Sequence, residues 1–229
     1  MLGEVCLKIC GNDIKGRNAW GIIGMRLPRG IYGITDASYT IKNHVDAARA
    51  FLEGGVRIVQ YRRKEGSIRV MLEEARAIRR LCNEYGAVFI VDDRVDIAIL
   101  SDADGVHVGL DDAPVDEIRR RFGGLIIGAS ASTVDEAVQG ERAGANYIGA
   151  GSVFPSPTRP DYRITGLDGL RSIVRSVSIP VYAIGGITLE SIPAIKATGA
   201  WGAAVISGIL AAKDPVKMAR AFVEAWENA

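Results

Sequence analysis

Phe89-Ile-Val-Asp-Asp93 and Val108-Gly-Leu-Asp-Asp112 follow one pattern, a short apolar run that ends in a pair of aspartates. The runs Ala87–Val91 and Gly105–Val108 are too short for helices and contain β-branched residues, so they are predicted as buried strands. Carboxylate pairs at neighbouring strand ends can converge on one divalent cation. Aspartate suits Mg²⁺, which takes one or two protein oxygens and fills its remaining positions with water and phosphate. The competing reading makes Asp92, Asp93, Asp111 and Asp112 turn residues and helix N-caps.

Outward from that stretch the chain repeats a single unit: a strand-like run, a polar or glycine turn, then an amphipathic helical segment. The predicted strands are Ile31–Thr35, Val56–Tyr61, Ala87–Val91, Gly105–Val108, Leu125–Ala129, Tyr147–Gly151, Pro180–Ile184 and Ala203–Ile206. The predicted helices are Asn43–Glu53, Ile68–Tyr85, Arg94–Leu100, Val115–Phe122, Val134–Ala143, Gly169–Ser176, Leu189–Thr198 and Pro215–Trp226. In the second helix Val70, Leu72, Ala75, Ile78, Leu81 and Cys82 form the face expected to meet the sheet. Eight strands alternating with eight helices is the count of a (β/α)₈ TIM barrel, an α/β fold. An open doubly wound sheet of eight strands would leave two unpaired edges that closure removes. The barrel is assigned to residues 29–229 and a short, loosely ordered N-terminal extension to residues 1–28, with Met25 as an alternative start.

Composition narrows the function. With 229 residues, 48% of them hydrophobic, the chain can bury a core without disulfides. A net charge of +1 gives no bulk field for nucleic acid or a membrane surface, so any anion must be held by a local cluster. Three cysteines (Cys6, Cys10 and Cys82) are an odd, sparse set that suits a reducing cytoplasm. No apolar run reaches the roughly 18 residues of a membrane span. A homo-oligomer is compatible with the sequence.

In a barrel of this type, chemistry gathers at the C-terminal ends of the strands. The second strand ends Gln60-Tyr-Arg-Arg-Lys64. Alternation puts Gln60, Arg62 and Lys64 on one face and Tyr61 and Arg63 on the other. Two cations and an amide on one face make a receptor for a polyphosphate or a carboxylate. The acidic pairs end the third and fourth strands on the same rim. His107, within the fourth strand, is either a core histidine with its hydrogen bonds satisfied or a residue that contacts a ligand, and it is not counted among the catalytic residues. Ser130 ends the fifth strand, and Ser132 or Thr133 is expected to cap the next helix. The sixth strand leads into the longest connection, where Ser156, Thr158 and Arg159 are the polar candidates of a loop over the mouth. Glycines at the ends of the seventh and eighth strands let backbone N–H groups approach an anion. Together these features leave room for two phosphate groups.

Gln60-Tyr-Arg-Arg-Lys64, Val91-Asp-Asp-Arg-Val-Asp96, Ala103-Asp-Gly-Val-His-Val-Gly109 with Asp112, Gly149-Ala-Gly-Ser-Val-Phe-Pro155 and Ile184-Gly-Gly-Ile187 together resemble thiamin phosphate synthase, from about Gly30 to the C-terminus. The resemblance implies a (β/α)₈ transferase that joins hydroxymethylpyrimidine diphosphate to a thiazole phosphate, using Mg²⁺ and releasing pyrophosphate. It implies Asp93 and Asp112 as Mg²⁺ ligands, Arg62 and Lys64 on the diphosphate, and Gln60 and Ser130 near the pyrimidine. Arg62, Lys64, Ser130 and Arg159 are the expected catalytic residues. Tyr61, Arg63, Asp92 and Pro157 are also expected to help bind substrate, and Ser156, Thr158, Gly186, Ile206 and Ser207 to line the thiazole phosphate site. The chain departs from the family pattern at three positions. Asp92 stands where the family usually has Asn, Arg159 where it has Lys, and Leu110 where it often has Gln. The rival readings are a metal-free thiazole tautomerase on a similar barrel and a phosphate-binding barrel without turnover.

Overall fold

The computed structural model describes residues 27–36, 38–39, 43–156 and 163–229. Eight parallel strands close into a barrel in sequence order. They are β1 (Gly30–Thr35), β2 (Ile58–Tyr61), β3 (Val88–Asp92), β4 (Gly105–Val108), β5 (Ile126–Ala131), β6 (Tyr147–Ala150), β7 (Val181–Ile184) and β8 (Gly202–Val205). Around them run α1 (His44–Glu53), α2 (Ile68–Tyr85), α3 (Val95–Leu100), α4 (Val115–Arg121), α5 (Val134–Arg142), α6 (Gly166–Ser176), α7 (Ile192–Lys196), α8 (Ser207–Leu210) and α9 (Pro215–Asn228). No edge is left for an open sheet. Among the described residues no helix is long and apolar enough to cross a membrane.

Strand alternation divides the apolar residues into two layers. Ile31, Val59, Phe89 and Val91 face outward into the core beneath the helices. Tyr32, Ile34, Ile58, Val88 and Ile90 face into the barrel, with Tyr147 and Tyr182 from the far side. On the outside Phe51 of α1 lies so close over Gly33 that a Cβ there would come within 2.5 Å of its ring. Truncating Phe51 to alanine would cost about 3–5 kcal/mol.

The helices start and stop where their sequences direct. Ser67 accepts from the Val70 N–H at the start of α2, and Gly86 ends that helix in the left-handed conformation that glycine adopts without a Cβ penalty. The buried stripe of α2 runs through Met71, Ala75, Ile78 and Cys82, whereas Val70, expected on that face, is exposed. A spacing of four, three and four residues keeps this stripe over the sheet. Thr133, not Ser132, caps α5 in a reciprocal capping box with Glu136. The predicted helix Leu189–Thr198 is instead a 3₁₀ turn, Leu189–Ser191, followed by α7 with a proline in its first turn. The short α8 was not foreseen.

The two ends of the barrel differ. At the N-terminal end the Trp201 indole donates to the Leu27 carbonyl at 3.0 Å and the Tyr182 hydroxyl donates to that of Pro28. The Arg29 guanidinium lies over the Trp201 ring. The segment entering β1 therefore covers this end. The other end is open.

Candidate active site

The open end is a cavity bordered by residues from the ends of all eight strands or the loops that follow them, apart from β1, which contributes Ile34 from within the strand. It brings together Gln60, Arg62, Lys64, Asp92, Asp93, Asp112, Ser130, Ser156, Gly186, Ile206 and Ser207, all of them expected at the site. Pro157, Thr158 and Arg159 lie outside the described residues, as does the extension up to residue 26.

Two of the expected binding residues are turned away from it. The Tyr61 hydroxyl donates to Glu74 of α2 at 2.6 Å, and Arg63 donates to both oxygens of the same carboxylate at 2.9 and 3.0 Å. Odd-numbered side chains at the end of β2 point outward, so Tyr61 and Arg63 anchor α2 and do not border the cavity.

On the side of β1 to β4 the rim is a continuous chain of opposite charges. Arg62 pairs with Asp36, just beyond β1, and its Nε lies 3.5 Å from Asp92. Lys64 pairs with Asp93 and stands 2.9 Å from Asp92 Oδ2. Asp93 in turn hydrogen bonds to Asp112. Asp36 was missed from sequence, although an aspartate directly after the first strand occupies the same level of the rim as the residues that were found. Asp93 adopts a left-handed backbone, φ 56°, which aspartate tolerates better than most residues and which turns its carboxyl toward the rim. Asp112 also performs the turn role weighed for it, accepting from the Gly109 N–H at 2.8 Å.

These charges do not balance. Among the described residues four carboxyls face two cations, and their ionisation reflects the excess. Burial pushes Asp92 up to about 6 against the pull of Lys64. Its Oδ2 is buried, with cations near it but no donor aligned for a hydrogen bond. Burial also raises Asp93, but the Lys64 ammonium and the Asp112 hydrogen bond outweigh that and hold it below the usual carboxylate range. Asp112 is raised by burial and by its neighbour Asp93, with the Gly109 N–H pulling against them. No group of three or more His, Cys, Asp or Glu converges among the described residues. A metal held wholly by protein side chains does not fit here. Two adjacent carboxylates with room for other oxygens do fit Mg²⁺, which would offset the excess negative charge.

The side of β6 to β8 grips differently. Gly185 and Gly186 both have positive φ, and a Cβ on Gly186 would fall 2.3 Å from the Pro155 carbonyl oxygen. The loop after β6 is tied to the end of β7 by Val153 and Phe154 N–H groups, which donate to Ile184 and Gly185 at 2.8 and 3.1 Å. The first turn of α8 begins at the cavity with Ser207 and Gly208, and the leading N–H groups of a helix have no partner within it.

Across the floor His107 is half-buried and borders the cavity, and both of its ring nitrogens are engaged: Nδ1 with the Tyr147 hydroxyl at 3.1 Å and Nε2 with Ser130 Oγ at 3.0 Å. Burial pushes it down to about 4, so it is neutral near pH 7. Its hydrogen bonds are satisfied, as for a core histidine, and it also borders the cavity, where a ligand could touch it, so both readings of the sequence keep a footing.

A family model described as thiamine monophosphate synthase matches residues 31–209. The chain is 80% identical over 205 residues to a thiamine-phosphate synthase of Caldivirga maquilingensis, covering 90% of this chain and all of that one. It is 47% identical over 184 residues to the thiamine-phosphate synthase of Pyrococcus furiosus, covering 80% of this chain and 88% of the relative. A solved structure of thiamine phosphate pyrophosphorylase from Pyrococcus furiosus superposes with a TM-score of 0.83 at 44% identity, over 87% of this chain and 96% of that one. With the barrel, the rim and the sequence in agreement, this chain belongs to the thiamine monophosphate synthase family of transferases.

Proposed function

We propose that the cavity joins hydroxymethylpyrimidine diphosphate to a thiazole phosphate by a largely dissociative, Mg²⁺-assisted displacement that releases pyrophosphate. The observation that carries this reading is the pairing, in one cavity, of a charged rim on β1 to β4 with a glycine-lined wall on β7 and β8. One wall suits a diphosphate and the other a monophosphate.

Asp93 and Asp112 would hold the Mg²⁺, leaving its other positions for water and diphosphate oxygens. When bound, the ion supplies Lewis-acid neutralisation of charge on the leaving group. As the diphosphate arrives, Lys64 and Arg62 exchange carboxylate partners for phosphate oxygens and stabilise the charge that gathers there. Asp92, near its titration point, accommodates an anion only when protonated, bridged by water or close to the metal. The methylene C–O bond breaks and pyrophosphate leaves with the electron pair. The electron-rich aminopyrimidine carries the positive charge left on carbon. The thiazole nitrogen donates its lone pair to that carbon, positioned by its phosphate against Gly186 and Ser207. The described cavity offers no unengaged imidazole as a general base, which favours a displacement that needs none. A reducing compartment, the cytoplasm, suits Cys82, a buried free thiol raised to about 12.

Purified protein mixed with both substrates and Mg²⁺ tests the reading. Pyrophosphate release that disappears on chelation is the expected result. Proton exchange on the thiazole without metal would mark a tautomerase, and tight binding without release a non-catalytic barrel. Electron-withdrawing substituents on the pyrimidine are expected to slow turnover steeply. An insensitive rate would reject the dissociative path.

A further inference from the structure

Beneath the cavity floor a single file of hydrogen bonds crosses the barrel from β2 to β5. Gln60 Nε2 donates to the Tyr32 hydroxyl at 3.0 Å, Tyr32 meets Tyr147 at 2.8 Å, and Tyr147 meets His107 Nδ1 at 3.1 Å. His107 Nε2 then meets Ser130 Oγ at 3.0 Å. Both ends, Gln60 and Ser130, border the cavity, while Tyr32 and Tyr147 are buried. The file is built on space as well as bonds. A Cβ on Gly128 would fall 2.4 Å from His107 Nδ1 and 2.1 Å from Tyr147 Cζ, so the glycine is what lets those two side chains meet.

Each hydroxyl carries one proton, so the direction of one bond sets the next. Tyr32 accepts from Gln60, and Tyr147 is the one remaining hydrogen-bond partner recorded for its hydroxyl, so it gives its own proton to Tyr147. Tyr147 then gives its proton to His107 Nδ1, which leaves Nε2–H to donate to Ser130. A doubly protonated imidazole would break this order, because Tyr147 would have to give its proton back to a Tyr32 already accepting from Gln60. At the ends, Ser130 keeps its own proton to donate into the cavity and Gln60 keeps its carbonyl oxygen to accept there.

We propose that Gln60, Tyr32, Tyr147, His107 and Ser130 form a polarised relay that presents an acceptor at Gln60 and a donor at Ser130, and so selects a heterocycle offering an amino donor and a ring-nitrogen acceptor. An aminopyrimidine is such a ring. This deepens the function proposed above and rests on it for the identity of the ligand. Tyr32, Tyr147 and His107 are positioning residues: they act through Gln60 and Ser130.

The test has two readouts. The chain contains two histidines, so ¹⁵N-histidine labelling gives a spectrum simple enough to read tautomers, with a His44→Gln variant to assign the signals. The relay requires neutral His107 protonated on Nε2 at pH 7.5, and protonation on Nδ1 would overturn it. Kinetics then separate positioning from packing. Tyr147→Phe keeps the ring, breaks the file in its middle, and is expected to raise KM for the pyrimidine diphosphate about tenfold while leaving KM for the thiazole phosphate within about twofold. Tyr182→Phe is the control: its ring packs edge-on against both Tyr32 and Tyr147, but its hydroxyl bonds to Pro28, outside the file. Equal effects from the two variants would reduce the file to core packing. Absence of turnover in the unmodified enzyme would sink the proposed reaction, and the tautomer would still decide the relay.

Discussion

The two halves of the rim are built from opposite materials, and each would hold an anion by its own means. On β1 to β4 the grip is made of ionisable side chains, Asp36, Arg62, Asp92, Lys64, Asp93 and Asp112, which without ligand are spent on one another. On β7 and β8 it is made of backbone and glycine, at Gly185, Gly186 and the start of α8. The first half can be retuned one charge at a time, and its strength depends on pH and metal. The second is fixed by chain conformation and is insensitive to both. Under the proposed reaction, a leaving group whose charge grows would sit with the adjustable half, and a spectator phosphate used as a handle with the rigid one.

The largest effect should come from removing a charge from the adjustable half. Asp93→Ala is expected to lower turnover by roughly a thousandfold, the scale of several kcal/mol of lost charge stabilisation. Its melting temperature should change by no more than a few degrees, because a rim residue contributes little to the core. Full activity at low Mg²⁺ would show that Asp93 holds no metal. Next, Gly186→Ala should strike the rigid half. At φ 61° a Cβ is strained and collides with the loop after β6, so KM for the thiazole phosphate should rise on the order of tenfold or more while that for the pyrimidine diphosphate holds. Equal losses for both substrates would erase the distinction between the halves.

Asp92→Asn probes the self-pairing of the charged half through stability. A carboxyl raised from the ordinary 3.8 to about 6 binds a proton in the folded state that the unfolded chain has released. Wild-type stability therefore falls as pH climbs through that window. At about 1.4 kcal/mol per pH unit, removing the ionisable group should stabilise the protein by on the order of 3 kcal/mol at pH 7 in chelator, with the gain vanishing near pH 4. Urea titrations at the two pH values measure it, and a gain independent of pH would contradict the origin given. The smallest effect is expected from Ser207→Ala, a fewfold rise in KM for the thiazole phosphate, since one hydroxyl adds about 1 kcal/mol to a grip made mostly of backbone. A large effect would move that side chain to the centre of the site.

Most of the barrel was legible because its strands are short apolar runs, as parallel strands buried on both faces are, and glycine often closes the helix before the next strand. The bounds of α2, Ile68–Tyr85, were read correctly, although Met71 and not Val70 lies on its buried face. α8 escaped because four residues are too few to display a helical period. The helix over Leu189–Thr198 was read as continuous because apolar spacing does not report the break that leaves Pro193 near the start of α7. The rim followed from strand ends, but Tyr61 and Arg63 show the hazard of taking a motif whole: alternation already sent them outward, and Glu74, eleven residues beyond Arg63, was waiting there. Asp36 was missed for another reason. Its place directly after β1 was a signal, but its importance lies in a partner 26 residues away, which no local pattern reveals.

With Leu27, Pro28 and Trp201 over the N-terminal end, the described cavity opens toward the opposite end of the barrel alone. Under the proposed reaction, that geometry would set the order of loading by depth. The ring placed at Gln60 and Ser130 would be seated before its partner closed the way above it, and product would clear before the next pair could queue.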